Sequence, residues 1–116
     1  MKVIVCGGRE FDSPAKVFRA LDEFHAEHKI TALMQGGANG ADSFGRDWAK
    51  ANGVQCWVCR ADWQKHGKAA GPIRNAKMLE WKPDVVIAFP GGPGTADMMR
   101  RAREANVLVH EPLKNT

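Results

Sequence analysis

The chain has 116 residues, enough for one domain spanning 1–116 and too few for a multidomain enzyme. Hydrophobic residues make up 44% and charged residues 26%, so the chain can bury one core and is not disordered as a whole. The net charge of +4 is spread without a run of like charge, a surplus that suits a phosphorylated small molecule at least as well as a nucleic acid. No stretch approaches the ~20 apolar residues of a membrane span. The start, Met1 to Gly8, is too short for a signal peptide, so the expectation is a cytoplasmic protein with no membrane partner.

Short apolar runs alternate with longer amphipathic segments. The first run, Lys2 to Cys6, ends at Gly7 and Gly8. Ser13 and Pro14 then start a helix with Val17, Ala20, Leu21 and Phe24 on one face. A second run, Thr31 to Met34, ends at Gly36 and Gly37. The helix after it turns Ala41, Phe44, Trp48 and Ala49 inward and stops at Asn52 and Gly53. The third run is Val54 to Cys59. Within it Cys56 and Cys59 fall on opposite faces of a strand, which predicts buried free thiols and no shared metal or redox pair. Arg60 to Gly71 is a polar segment of functional length. Pro72 opens a helix through about Trp81, and Asp84 to Phe89 is the most hydrophobic strand candidate. A last helix carries Met98, Ala102 and Ala105 on one face. Val107 to His110 can form a fifth strand, and the tail from Pro112 to Thr116 is expected to fray.

Strands buried on both faces and joined by helices predict an α/β fold, a single Rossmann-like three-layer sandwich. Its parallel five-stranded sheet is expected in the order 3-2-1-4-5. Ligands of such sheets bind at the carboxyl ends of strands beside the switch point. That edge gathers Gly7, Gly8 and Arg9 with Gly36, Gly37, Asn39 and Asp42, and with Gly91, Gly92, Gly94 and Thr95.

Glycines at strand-to-helix turns let backbone N–H groups approach an anion, and the helix dipole adds to the attraction. The turn from Pro90 to Thr95 is the strongest phosphate candidate, although Thr95 can equally serve as a helix cap. Arg9 and Arg74 are placed first among the basic residues of the crevice, because a guanidinium holds phosphate bidentately. Their alternative is a salt bridge to Glu10, Asp42 or Asp97. Trp63 can stack on a planar base, whereas Trp48, Trp57 and Trp81 read as core. His25 and His28 read as solvent-facing without a role. No dinucleotide fingerprint, P-loop or metal-ligand cluster occurs, so neither a cofactor nor a metal is expected.

Taken together, five segments resemble the YspA-type, cpYpsA-related SLOG family of the Smf/DprA-LOG superfamily. They are Gly7 to Phe11, Gly36 to Asp42, Ala61 to Gly67, Ala70 to Asn75 and Pro90 to Thr95. The resemblance implies a Rossmann-like protein of bacteria or their phages, in the latter case acting in the host cytoplasm. It also implies a nucleotide-derived ligand and a homo-oligomer. The LOG branch hydrolyses the N-glycosidic bond of nucleoside monophosphates, with a Pro-Gly-Gly-x-Gly-Thr-x-x-Glu signature and an Arg-Lys pair upstream. Here Arg74 matches the arginine, Asn75 replaces the lysine and Met98 replaces the glutamate. A carboxylate near the ribose would stabilise the positive charge of the transition state. Asp97 and Glu10 are the substitutes considered first, with Asp42 third. The alternatives are a sensor or sponge that binds without turnover, and single-stranded DNA binding as in the DprA branch. The last is disfavoured by the modest charge and by the absence of a basic stripe with interleaved aromatics.

Overall fold

The computed structural model describes residues 1–114. Five strands, β1 (Lys2–Cys6), β2 (Ala32–Gln35), β3 (Gln55–Val58), β4 (Val85–Ala88) and β5 (Leu108–His110), form one sheet in the order β3-β2-β1-β4-β5. Every pairing is parallel. The expected α/β sheet and strand order are therefore observed. The helices are α1 (Pro14–Glu27), α2 (Ala41–Ala51), α3 (Trp63–His66), α4 (Ala70–Leu79) and α5 (Pro93–Glu104). No helix among the described residues is long and apolar enough to cross a membrane.

Alternation along the strands divides the core between two layers. Val3, Val5, Leu33, Val85 and Ile87 face α1 and α2, where they meet Val17, Leu21, Trp48 and Ala49. Ile4 and Val86 face the other way, onto Met78 of α4 and Met98 and Ala102 of α5. Ser13 caps α1 by accepting the Lys16 N–H at 3.2 Å, with Pro14 in the first turn. Buried Trp48 donates from Nε1 to Asp22 at 2.8 Å and so ties α2 to α1.

The periphery departs from the sequence reading. All four residues of β3 are exposed, so Cys56 is an exposed thiol and Trp57, expected in the core, is 51% exposed. An edge strand has a neighbour on one side only, and apolar composition does not reveal that position. Trp81 is half-buried, and Ala105, expected on the inner face of α5, is its exposed C-cap. His25 is not idle: its Nδ1 accepts the Ile30 N–H at 2.9 Å, and its ring meets Trp48 edge-on at 5.3 Å. The segment from Arg60 to Gly71 is short helix α3, a 3-10 turn at Gly67–Ala69 and the start of α4, two residues ahead of Pro72. Of the tail expected to fray, Pro112 to Lys114 form a turn in which Leu113 packs on the core. Asn115 and Thr116 lie outside the described residues.

Candidate functional site

Three strand-to-helix turns meet at the carboxyl edge of the sheet and are fastened to one another by backbone. Gly8 donates its N–H to the Pro90 carbonyl at 2.9 Å, and its own carbonyl accepts from Phe11 at 3.2 Å and Ala41 at 3.3 Å. This close approach depends on glycine. Gly40 has φ +73°, and a Cβ there would collide with the Gly8 carbonyl and the Arg9 backbone.

Above these turns lie two connected cavities. The first, of about 350 Å³, has Cys6, Gly7 and Gly8 at its floor, Asp42 and Arg74 on one side, and Gly92, Gly94, Thr95 and Met98 on the other. The second, of about 290 Å³, adjoins it through Arg9, Gly36, Ala38, Trp63 and Arg74. Both sizes lie near the lower end of the range for small-molecule sites.

At the α5 end, Gly92 supplies no side-chain cap and Pro93 at the first turn has no N–H. The N–H groups of Gly94 and Thr95 make no backbone bond among the described residues, so they are the free donors of that helix start. The Thr95 residue is buried and lines the cavity. These donors and the dipole of a twelve-residue helix present positive potential to the first cavity.

The arginines divide into two groups. Arg19, Arg46, Arg100, Arg101 and Arg103 each contact a carboxylate at 2.8 to 3.4 Å. Arg9, Arg60 and Arg74 form no such pair among the described residues, and all three line the second cavity. Half-buried Arg74 is held by neutral acceptors: Nε donates to Asn75 Oδ1 at 3.0 Å, and Nη1 donates to the Gly36 carbonyl at 3.1 Å and the Cys59 carbonyl at 3.4 Å. A Cβ at Gly36 would strike the guanidinium, so glycine there makes room for it. Arg9 lies over the ring of half-exposed Trp63, 5.5 Å from its centroid.

The three carboxylates named from the sequence fare differently. Asp42 lines the first cavity, buried at 6% exposure, and its Oδ2 accepts the Ala38 N–H at 3.2 Å. Burial pushes its pKa above the usual carboxylate range, against the pull of the Ala38 N–H and the Arg74 charge. Asp97 does not line either cavity. Its carboxylate accepts from Asn75 Nδ2 at 3.1 Å, Arg101 at 2.8 Å and Arg100 at 2.9 Å. Partial burial opposes ionisation, but the Asn75 amide and the two guanidinium groups prevail and hold its pKa below the usual value. Glu10 is exposed and lines neither cavity. Met98, at the position of the LOG glutamate, is buried and apolar and forms part of the cavity wall.

Other expected residues sort in the same way. Asn75 is buried and links α4 to α5, because Nδ2 also donates to the Gly94 carbonyl at 3.1 Å. Gly37 and Asn39 line the second cavity. Gly91 lies outside both cavities and packs beneath Thr95 against the Gly8 N–H. Sequence reasoning passed over Arg60, which follows β3 and whose Nη1 donates to the Gly37 carbonyl at 3.2 Å. The rule that ligands gather at carboxyl ends of strands applies to β3 as well and was the available signal. Cys6 was also unflagged. Burial and then the nearby Asp42 charge push its thiol up to about 12, so it is a protonated part of the floor and not a nucleophile at neutral pH.

Comparison with known proteins connects this site to others. Residues 1–66 match a family model described as YAcAr: YspA, cpYpsA-related SLOG family. The matched segment carries the first two glycine turns, Arg60 and Trp63, and ends before Arg74 and the Pro90 to Thr95 turn. The chain is also 37% identical over 116 residues to the Gene 61 protein of Mycobacterium phage D29, with 93% of each chain covered.

Proposed function

The chain belongs to the YspA, cpYpsA-related SLOG family, and from that premise we propose that it binds a nucleotide-derived small molecule at the carboxyl edge of the sheet. One observation carries the reading: Arg9 and Arg74, which form no ion pair with a carboxylate among the described residues, line a cavity that also receives the free N–H groups at the start of α5, and Arg60 lines the cavity that adjoins it. A phosphate seated there accepts hydrogen bonds from Gly94, Thr95 and the Thr95 hydroxyl, with the Arg74 charge beside it. The ribose then lies toward Asp42 and Gly36, and the base stacks on Trp63. With Met98 at the LOG glutamate position, the primary reading is binding without turnover, as in a sensor or sponge.

A second reading, glycosidic hydrolysis, is favoured by Asp42. Among the described residues it is the one carboxylate lining the first cavity, and burial raises its pKa above the usual carboxylate range. In that reaction a water oxygen bonds to the anomeric carbon, the bond from that carbon to the base nitrogen breaks, and the departing base takes up a proton. Asp42 would stabilise the positive charge on the ribose and orient the water. Asp97, bound by two arginines and directed away from the cavity, is a poor candidate for this role.

Mass spectrometry of the protein incubated with nucleoside mono- and diphosphates and ADP-ribose tests both readings. Intact ligand retained on the protein is the expected result. Free base that disappears in Asp42→Asn would establish hydrolysis, and no bound species with any of the panel would overturn the proposal.

A further inference from the structure

Asn75 is a buried residue in the lining of the first cavity, yet its hydrogen bonds run into the protein rather than toward a ligand. Its Oδ1 accepts from Arg74 Nε at 3.0 Å, and its Nδ2 donates to the Gly94 carbonyl and to Asp97 Oδ2, both at 3.1 Å. The two acceptors match the two N–H bonds of the amide, so Asn75 has no donor left for a phosphate. The polarity of its partners also restricts which side chain can stand there. A guanidinium only donates, whereas a carbonyl and a carboxylate only accept, so position 75 requires one acceptor and two donors on a short stem. An ionised carboxylate has no donor and an ammonium has no acceptor, so neither satisfies all three partners.

These bonds join the two parts of the phosphate seat. Arg74 stands on α4, the free N–H groups stand at the start of α5, and Asn75 is bonded to both elements. Successive residues of a helix point about 100° apart, so the Arg74 side chain has to fold back for Nε to reach Asn75. Nε is held by Asn75 and Nη1 by the Gly36 and Cys59 carbonyls, while Nη2 makes no hydrogen bond among the described residues. Each acceptor on this guanidinium is neutral, so no direct ion pair neutralises it. Asn75 also separates it from the Asp97 carboxylate, which is bonded to the other end of the same amide.

Resting on the nucleotide reading above, we infer that Asn75 is a positioning residue. Through a neutral amide it sets the Arg74 guanidinium against the first turn of α5, so that charge and helix N–H groups bear on one phosphate. It acts through Arg74 and Gly94 and does not itself touch the phosphate.

Isothermal titration of the full chain with the four common nucleoside 5′-monophosphates tests this. Asn75→Ala should weaken the best-bound monophosphate about tenfold, the scale of a lost hydrogen bond to a charged group. Asn75→Asp, although closer in shape to the wild type, should weaken it more than Asn75→Ala does, because a carboxylate at position 75 pairs with Arg74 and repels both Asp97 and the phosphate. In the Arg74→Ala background the cost of Asn75→Ala should shrink to less than about threefold, since one of the parts that Asn75 positions is already gone. Melting temperatures establish that each variant is folded at the temperature of titration, and if Asn75→Asp is not, the cycle with Arg74 decides. An equal cost of Asn75→Ala with and without Arg74, or a milder loss in Asn75→Asp than in Asn75→Ala, would overturn this inference and leave nucleotide binding standing. A wild-type chain that binds none of the four monophosphates defeats the nucleotide reading with it.

Discussion

The outer turns of α5 and the two connected cavities at the carboxyl edge of the sheet hold the same kind of side chain in opposite states. Along the helix, Arg100, Arg101 and Arg103 are matched by Asp97, Glu104 and Glu111. Around the cavities, Arg9, Arg60 and Arg74 have ring, carbonyl and amide neighbours but no ion pair among the described residues. The matched set is complete without a ligand, and the unmatched set is not. Arginine content alone therefore says little about binding, since a site is marked by the guanidinium groups that the protein leaves without an anion.

The sharpest way to break this comparison is to remove one cavity arginine. Arg74→Ala should weaken phosphate-bearing ligands by about 2 kcal/mol, the scale of a charge-assisted hydrogen bond, as read by calorimetry. Unchanged binding of the same ligands would take Arg74 out of the site. On the matched side, Asp97→Asn should leave ligand affinity nearly intact but cost roughly 1 kcal/mol of stability at neutral pH, read by denaturant unfolding. Its pKa is lower in the folded state, so the stabilisation is present above the unfolded value and is lost as pH falls through the folded one. The cost of the substitution should accordingly shrink in acid.

Asp42 should behave in the opposite sense and with the smallest effect. Its pKa is raised on folding, so its contribution to stability is fully present below the unfolded value and is lost as pH rises through the folded value. Asp42→Asn removes that loss. The variant should equal or slightly exceed the wild type in melting temperature at pH 7, and the difference should close toward pH 4. A variant markedly less stable at pH 7 would show that the Asp42 to Arg74 attraction outweighs desolvation.

These contrasts also show where sequence was informative. Strand order and the meeting of three glycine turns were legible because apolar runs, helix caps and right-handed crossovers all impose the same topology. The exposure of Cys56 and Trp57 was not read from it: the expected order already put β3 at the sheet edge, but their apolar composition is that of an interior strand and points the other way. By spacing Asp97, one residue before the LOG glutamate position, ranks ahead of Asp42, yet only Asp42 lines the first cavity. What separates them is a rotation about α5 and the two arginines on its surface, and these depend on side-chain direction rather than order along the chain. Gly91 and Gly92 are neighbours in sequence, yet one packs against Gly8 and the other faces the cavity. Arg60 was missed because nothing local to it signals function until β3 is seen to end beside the β2 turn.

The fastening of Gly8 to Pro90 and Ala41 has a consequence for how such a site can diversify. Its three loops are aligned by main-chain bonds, so the alignment does not depend on the side chains at positions 9, 39, 60 and 63 that form the rim. Those positions can be exchanged without moving the loops, and ligand preference can drift while the address of the site on the sheet stays constant.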